Sequence, residues 1–524
     1  MNEEKKEYQV SRATLALALG ALGSRGVGFF REIAVAATFG TGRSFDLYVA
    51  SSAFPSFLSA IFLYALPDYL VPYFARLKER RLAALRRFLF STFLGGVVFL
   101  GALYFSAPLW IKLVAPGLAA NEITFGAGAF QILLLFVFGT VLEAVLRSYY
   151  QVEGRFGLTA WSPLLTGLVV LGSVFLWSGK LSVYALAWGW AVGGLVPVGI
   201  MLVGIFFFPP SPSVGNVSRK EIESGERPQL RWKNFLFVLA VTVLGQMIGL
   251  LDRFFGSFLP SASLSALYYA SLPVLFPVGL LVYPLGYAVF PKLAQQLSEG
   301  RRGEAGALLG RALGWVNFVL IPMTVLFCLM PGEIIQLVFQ RGAFDTAATG
   351  LSARCLRLFA LSLLASGYIF VLSRALLAAH SGKKLAGIYF IAFLAKAAFA
   401  YLGVRGLGLE GLAAAGSLSL VFMAALLFRF VSAASLPFSF GRSLGREAFN
   451  LLVVSLLVFG VVWAAHSFLL NIRGVGVTLL EVFLFGIIYF TVCAVLKIPE
   501  ALQLVALAQR MHLKGLYGAV ATGL

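Results

Sequence analysis

Arginine is the most frequent charged residue inside the long apolar stretches of this chain. Arg25 and Arg31 lie in the first stretch, and Arg354 and Arg357 lie in a later one. An ionisable side chain in such a segment costs roughly 2.5–3.5 kcal/mol on membrane-insertion scales, so it usually faces a wet cavity or a charged partner. A guanidinium stays charged when buried and matches the geometry of phosphate oxygens. The excess of arginine therefore predicts a cavity for an anionic ligand rather than for an organic cation.

Eight of these charged residues form the predicted site. Arg25 and Glu32 are seven positions apart and share one helix face, whereas Arg31 is rotated by about 100° from Glu32. The same charges would also suit ion pairs that hold helices together, and for Arg354 and Arg357 the two interpretations are equally good. We expect substrate binding by Arg25, Arg31, Arg253, Arg354 and Arg357, and ion pairing or gating by Glu32, Asp46 and Asp252.

The composition indicates that the segments carrying these charges are membrane-spanning helices. Of the 524 residues, 60% are hydrophobic and only 12% are charged, whereas an ordinary soluble domain is about 25% charged. A spanning helix needs roughly 20 mostly apolar residues, which predicts an all-α polytopic membrane protein with about fourteen transmembrane helices. The predicted spans are 13–39, 46–75, 88–114, 123–149, 156–178, 182–208, 234–258, 263–291, 311–330, 348–378, 385–404, 408–430, 447–470 and 475–496.

Lysine and arginine cluster in the segment after every second predicted span. Six cations follow the second span between Arg76 and Arg87, whereas the loops on the other side carry about one each. Cytoplasmic loops retain positive charge, so both termini are predicted to be cytoplasmic. The formal net charge of +19 then reflects topology and contact with anionic membrane lipids, and it does not indicate nucleic-acid binding.

An internal repeat divides the chain. Leu47–Ser51 (LYVAS) recurs as Leu267–Ser271 (LYYAS), 220 residues later. Three more segments match in the same order, namely GSRGVGFFRE with GQMIGLLDR, VPYFARL with FPKLAQQL, and IKLVAPG with IQLVFQRG. Both copies start in the same direction, which is typical of transporters with paired lobes and a substrate site between them. The repeat also places Arg31–Glu32 and Asp252–Arg253 at corresponding positions.

The predicted organisation follows from the spans and the repeat. It comprises a cytoplasmic N-terminal segment (1–12), a six-helix N-lobe (13–208), a cytoplasmic linker (209–233), a six-helix C-lobe (234–430), two added helices (431–496) and a cytoplasmic tail (497–524). The three cysteines and three histidines are scattered, so we predict no disulfide framework, no metal site and no cofactor.

Several segments resemble one known family. SRGVGFFREIAVAATFG from Ser24, FQRGAFDTAAT from Phe339 and VLSRALLAAHSGKK from Val371 are similar to the MurJ/MviN family of lipid II flippases, within the MOP superfamily. The resemblance covers essentially the whole chain. It implies two six-helix lobes around a V-shaped cavity in the bacterial cytoplasmic membrane, with spans thirteen and fourteen forming a groove for an undecaprenyl tail.

The resemblance also implies a cargo and site residues. The cargo is an undecaprenyl-diphosphate-linked glycan, with lipid II of peptidoglycan first, moved without ATP hydrolysis in the protein. Arg25, Arg31, Glu32 and Asp46 match the family's charged positions. Further family charges are absent from this chain, where those positions hold Ser59-Ala60, Ser271-Leu272 and Leu275.

Four alternatives stay open at the level of sequence. The missing charges favour an exopolysaccharide or O-antigen unit as cargo, or a non-transporting scaffold for envelope assembly. A cation-coupled drug exporter would need a carboxylate-rich lobe, and arginine outnumbers acid here. An enzyme is the least favoured, because there is no Asp-x-Asp pair, nucleotide loop or sizeable soluble domain. Coupling to the membrane potential or to an ion, and partners among envelope-synthesis proteins, are further expectations.

Overall fold

The computed structural model describes residues 20, 23–77, 80–207, 232–433, 444–469, 474–506 and 509, and these residues contain helices but no strand. The predicted segment 1–12, residues 209–231 of the predicted linker 209–233, and the tail beyond residue 509 lie outside the described residues. The helices are α1 (23–39), α2 (Arg43–Arg76), α3 (Arg81–Phe105), α4 (Ala107–Val114), α5 (Ala120–Val152), α6 (Phe156–Leu181), α7 (Tyr184–Phe207), α8 (Trp232–Gly256), α9 (Ser263–Pro277), α10 (Tyr283–Ser298), α11 (Arg302–Leu329), α12 (Pro331–Phe339), α13 (Thr346–Ala378), α14 (Gly382–Ala433), α15 (Gly445–Leu469), α16 (Val475–Val495) and α17 (499–506).

The predicted class is confirmed, because twelve helices of the described residues are long and apolar enough to cross a membrane. One of them, α14, consists of two helices joined at Gly408, whose φ of 58° and ψ of −124° interrupt the helix. With this division and with α1, the described helices correspond to the fourteen predicted spans. Their lipid-facing surfaces are apolar, as in α3, where Phe90, Val98 and Phe105 are each more than two-thirds exposed.

Two predicted spans and one predicted loop differ in detail from the helices. The third span is a long helix followed by the short helix α4, which begins with Pro108 in its first turn. The eighth span is α9 and α10 joined by a π-helical turn over Val278–Val282. The short helix α12 follows α11 and begins at Pro331. Because α4 and α12 contain the matched IKLV and IQLV segments, the two copies of the repeat form equivalent short helices at equivalent places.

Contacts divide the chain into two compact units, and the first comprises residues 1–269, 339–351 and 382–419. In this unit α2 packs along α5, and α5 packs against α7. The approach of α5 to α7 requires glycine, because a Cβ on Gly139 would lie 2.5 Å from the carbonyl oxygen of Gly194. The Tyr150 hydroxyl donates to the Met201 carbonyl at 2.6 Å and joins the same two helices.

The second unit comprises residues 270–338, 352–381 and 420–524. Here α11 packs against α15 and α10, and α15 packs against α16. The Tyr489 hydroxyl on α16 donates to the Phe318 carbonyl on α11 at 3.0 Å. The predicted lobe boundaries at 13–208 and 234–430 stay a prediction.

Candidate functional site

The first unit holds an ion pair between neighbouring residues of α1. Arg31 donates to Glu32 Oε1 through both Nε (3.0 Å) and Nη2 (2.6 Å). The side chains are only 17% and 11% exposed. The Arg31 guanidinium also lies 4.6 Å from the ring centre of Trp190 on α7, a cation–π contact that suits an arginine removed from water. The Arg31–Glu32 ion pair is therefore largely buried.

The two copies of the repeat supply equivalent tyrosines to this ion pair. The Tyr268 hydroxyl, from the second copy, donates to Glu32 Oε2 at 2.7 Å. Tyr48, at the matching position of the first copy, lies close enough to Arg31 and Glu32 to interact with both electrostatically. The Phe45 ring lies 5.8 Å from each tyrosine ring and packs between them. We call Arg31, Glu32, Tyr48, Tyr268 and Trp190 the Arg31 cluster.

Asp46 makes a different contact from the one expected. It is 1% exposed, and its two oxygens accept backbone N–H groups of Ala262 and Ser265, both at 2.7 Å. These residues lie at the start of α9, where backbone N–H groups have no partner within the helix and the helix dipole favours a carboxylate. Asp46 on α2 is thus an N-terminal cap for α9, and it does not pair with Arg31.

At the end of α1, a backbone contact within the same unit depends on two glycines. The Ala343 N–H donates to the Ala37 carbonyl at 2.7 Å. Gly40 and Gly342 both have positive φ, of 56° and 59°. A Cβ on Gly40 would lie 2.3 Å from the Ala343 carbonyl oxygen, and one on Gly342 would lie 2.3 Å from that of Ala37. The FQRGAF segment therefore needs its glycine to reach the end of α1.

Asp252, the acidic residue of the second repeat, forms an ion pair that the repeat does not predict. Asp252 on α8 lies 2.6 Å from the ammonium of Lys396 on α14, and the lysine side chain is 1% exposed. The adjacent Arg253 instead donates to the Gly249 carbonyl of its own helix at 3.2 Å. Arg253 Nε is buried without a hydrogen-bond partner among the described residues. The matched pairs Arg31–Glu32 and Asp252–Arg253 therefore have different partners.

The three remaining predicted arginines lie on α1 and α13. Arg25 is half-buried on α1, about two turns before Glu32, and the neighbouring Gly26 and Gly28 face open space. Arg354 and Arg357 are exposed on α13 and belong to the second unit.

The sequence prediction omitted Tyr268, Trp190 and Tyr48. A signal for the tyrosines was present, because Tyr48 and Tyr268 are the second residues of the repeated LYVAS and LYYAS segments. Trp190 gave no such signal. At the positions without family charges, Ser59 is buried and Leu275 is 56% exposed.

The described helices form a polytopic membrane fold that also occurs in transporters of the MOP superfamily. A solved structure of "Lipid II flippase MurJ, inward closed conformation" superposes with a TM-score of 0.76 at 19% identity, covering 92% of this chain and 98% of that one. An inward-facing MATE multidrug transporter of the MOP superfamily gives a TM-score of 0.60 at 14% identity, covering 80% of this chain and 96% of that one. At these identities the superpositions establish the fold.

The sequence comparisons identify the family. The family model "Lipid II flippase MurJ" matches residues 35–484. A "Probable lipid II flippase MurJ" of Thermotoga maritima is 27% identical over 505 residues, covering 93% of this chain and 97% of the relative. One of Bdellovibrio bacteriovorus is 26% identical over 452 residues, covering 82% of each. This chain belongs to the lipid II flippase MurJ family. The predicted resemblance is confirmed, as is the prediction of a transporter rather than an enzyme.

Proposed function

We propose that this protein moves lipid II, an undecaprenyl-diphosphate-linked glycan, from the inner to the outer leaflet of the cytoplasmic membrane by alternating access. The family match over residues 35–484 carries the proposal. The buried guanidinium of Arg31 supports it, because arginine binds phosphate oxygens with two parallel hydrogen bonds and stays charged in a dry site.

Arg25 and Arg31 are the residues that we assign to the diphosphate. The open space beside Gly26 and Gly28 gives an anion room to approach the face of α1 that carries Arg25. Arg31 is already paired with Glu32, so a diphosphate binds it by competing with that carboxylate. Tyr268 would then remain as a hydrogen-bond donor to Glu32 when its arginine turns to the substrate.

The Arg31 cluster and the Asp46 cap are proposed to form a gate. Both connect helices of the first repeat to the start of α9 in the second, through the Tyr268 hydroxyl and through the N–H groups of Ala262 and Ser265. Opening of the transporter between these helices must break these bonds. Their strength therefore sets part of the barrier between the closed and the open state.

The comparisons favour lipid II over an exopolysaccharide or O-antigen unit. The relatives from Thermotoga maritima and Bdellovibrio bacteriovorus both carry the description of a lipid II flippase. The absence of the family charges at Ser59-Ala60 and Ser271-Leu272 is the sequence feature that would suit another cargo. A scaffold without transport is disfavoured by the buried Arg31–Glu32 pair, since such a pair is costly to maintain in a membrane.

Orientation, driving force and partners are part of the proposal. The loop charges support a cytoplasmic location for both termini, and the added helices α15 and α16 would guide the lipid tail. Each charge moved through the potential contributes about 2.3 kcal/mol per 100 mV, so the membrane potential or a coupled ion would drive the cycle. Envelope-synthesis proteins are the expected partners.

Genetic rescue tests the function directly. The resident lipid II flippase of a bacterial host is depleted while this chain is expressed, and outer-leaflet lipid II is measured with a membrane-impermeant binder. Growth together with outer-leaflet lipid II is the expected result. Lysis despite confirmed membrane expression, together with no transport of lipid II by the purified chain in proteoliposomes, would contradict the proposal.

Two substitutions test the assigned residues in the same assay. Arg25→Ala and Arg31→Ala should each abolish transport while leaving expression unchanged. The matched control is Arg405→Ala, which removes an exposed arginine that stacks on Tyr401 in the same unit. Wild-type transport by either site variant, or equal loss in the control, would overturn the assignment.

A further inference from the structure

A cleft of about 340 Å³ lies between α10 and α11 in the second unit. Its polar lining consists of Lys292, Gln295, Gln296, Arg301, Glu304 and Arg311. The volume falls at the lower end of the roughly 300–1,000 Å³ of small-molecule sites. None of these residues belongs to the Arg31 cluster or to the predicted substrate site.

Two cations of the cleft are not neutralised. Arg301 forms ion pairs with Glu299 and, at 3.0 Å, with Glu304. Glu299 also accepts the Gln295 amide at 2.9 Å, and these two hydrogen bonds, from Gln295 and Arg301, lower the pKa of this carboxyl. By contrast, Lys292 and Arg311 have no acidic partner in the part of the chain that the structure describes. Positive charge therefore remains on two sides of the cleft.

Gln296 adds a buried hydrogen-bond acceptor to the lining. It is 5% exposed, and its Nε2 donates to Glu304 at 3.3 Å. Its Oε1 is buried and accepts no hydrogen bond from the described residues. A buried amide oxygen without a donor is unfavourable, so a ligand that brings a hydroxyl group here would gain a hydrogen bond.

We propose that this cleft binds a phosphate group that carries a neighbouring hydroxyl, as in a phosphoglycerol headgroup. Lys292 and Arg311 would hold the phosphate and Gln296 would accept the hydroxyl. The loop between α10 and α11 lies on the predicted cytoplasmic side, where basic pockets between helices bind anionic lipid headgroups. Such a headgroup and a soluble phosphoglycerol share this chemistry. The inference concerns a site separate from substrate transport and does not depend on the cargo.

Binding to the purified full-length chain tests the site. Phosphatidylglycerol or phosphatidylcholine is titrated into the detergent-solubilised protein, and bound lipids are counted by native mass spectrometry. The expected result is selective binding of phosphatidylglycerol. Lys292→Gln or Arg311→Gln should weaken this binding roughly fivefold each, which corresponds to about 1 kcal/mol per charge. Glu304→Gln should strengthen it, because it removes the negative charge from the lining.

Control and competition experiments complete the test. Arg302→Gln removes an exposed cation next to the cleft that does not line it, and binding should be retained. Release of the lipid by soluble glycerol 3-phosphate would identify a phosphate site open to soluble ligands, and its failure to compete would assign the site to lipid headgroups. Equal binding of the two lipids, or equal losses in Arg302→Gln and the Lys292 and Arg311 variants, would overturn the proposal.

Discussion

The Asp46 cap gives the sharpest prediction, because one buried side chain holds two backbone groups. Hydrogen bonds to a charged acceptor contribute roughly 1.5–3 kcal/mol each, so the bonds to Ala262 and Ser265 together contribute about 3–6 kcal/mol before the cost of burying the carboxylate. That cost is substantial for a group that is 1% exposed. We therefore expect Asp46→Ala to reduce the local stability of the start of α9 by about 3 kcal/mol.

Asp46 also stabilises a strained backbone conformation at Ala262. Ala262 has a φ of 72°, in the left-handed region that a residue with a Cβ adopts at a cost of roughly 1–2 kcal/mol. Its N–H points at Asp46 in this conformation. Ala262→Gly should therefore stabilise the turn by about 1 kcal/mol, and it should reduce the damage that Asp46→Ala causes.

Hydrogen exchange in lipid nanodiscs measures the effect where it occurs. A loss of about 3 kcal/mol corresponds to roughly 100-fold faster exchange of the amides near Ala262 and Ser265. Asp46→Asn keeps one oxygen acceptor but loses the charge, so it should fall between the wild type and Asp46→Ala. Asp345→Asn is the matched control, because Asp345 is exposed and accepts the Ala348 N–H at 2.8 Å within its own helix start.

The exchange rates decide whether Asp46 caps the start of α9. Exchange that stays at the wild-type rate near residues 262–265 in Asp46→Ala would refute the cap. Equal acceleration there in the Asp345 control would show that any carboxylate loss loosens the unit. Faster transport together with faster exchange in Asp46→Asn would support the gate, since a weaker bond lowers the barrier to opening.

Three further predictions test other charged groups. Tyr268→Phe should weaken the ion pair of the Arg31 cluster by about 1–3 kcal/mol, because a buried carboxylate loses a donor. A double-mutant cycle with Tyr48→Phe should show coupling between the two tyrosines. Lys396→Met should destabilise the protein by about 3–5 kcal/mol by leaving Asp252 charged and unpaired, and adding Asp252→Asn should restore most of the thermal stability. Burial raises the pKa of Glu500 on α17, so its contribution to α17 docking is fully present below the ordinary pKa of 4.5 and is lost as pH rises through the raised value. The amide exchange rate of residues 499–506 should increase with pH by more than the intrinsic exchange rate does. In Glu500→Gln this additional increase should be absent.

Hydropathy predicted the helices well because a membrane span must satisfy its own backbone and be apolar over a fixed length. It predicted the helix ends less well. The π-helical turn at Val278–Val282 arises from local backbone geometry, which a hydropathy average does not register. By contrast, the break at Gly408 lies where the predicted spans 385–404 and 408–430 meet. The repeat matched the IKLV and IQLV segments, but it did not predict that each of them lies in a short helix.

The site was harder to predict because charges choose partners by tertiary packing. Arg31 pairs with Glu32, the adjacent residue on its own helix. Asp252 has the same kind of neighbour in Arg253, yet its partner is Lys396 on another helix. Spacing along one helix reports which residues share a face, but it carries no information about which distant helix presents an opposite charge to that face.

The different partners suggest different roles for the two repeats. In the second repeat, Asp252 is paired with a lysine whose side chain is 1% exposed, so removing this partner would leave a buried charge alone at high cost. In the first repeat, Glu32 also accepts the Tyr268 hydroxyl, so it keeps a donor when Arg31 turns away. Release of Arg31 is therefore the less costly change. An anionic substrate that supplies new acceptors to Arg31 would offset the broken ion pair, and this difference supports the proposal that the substrate-dependent rearrangement occurs in the first repeat.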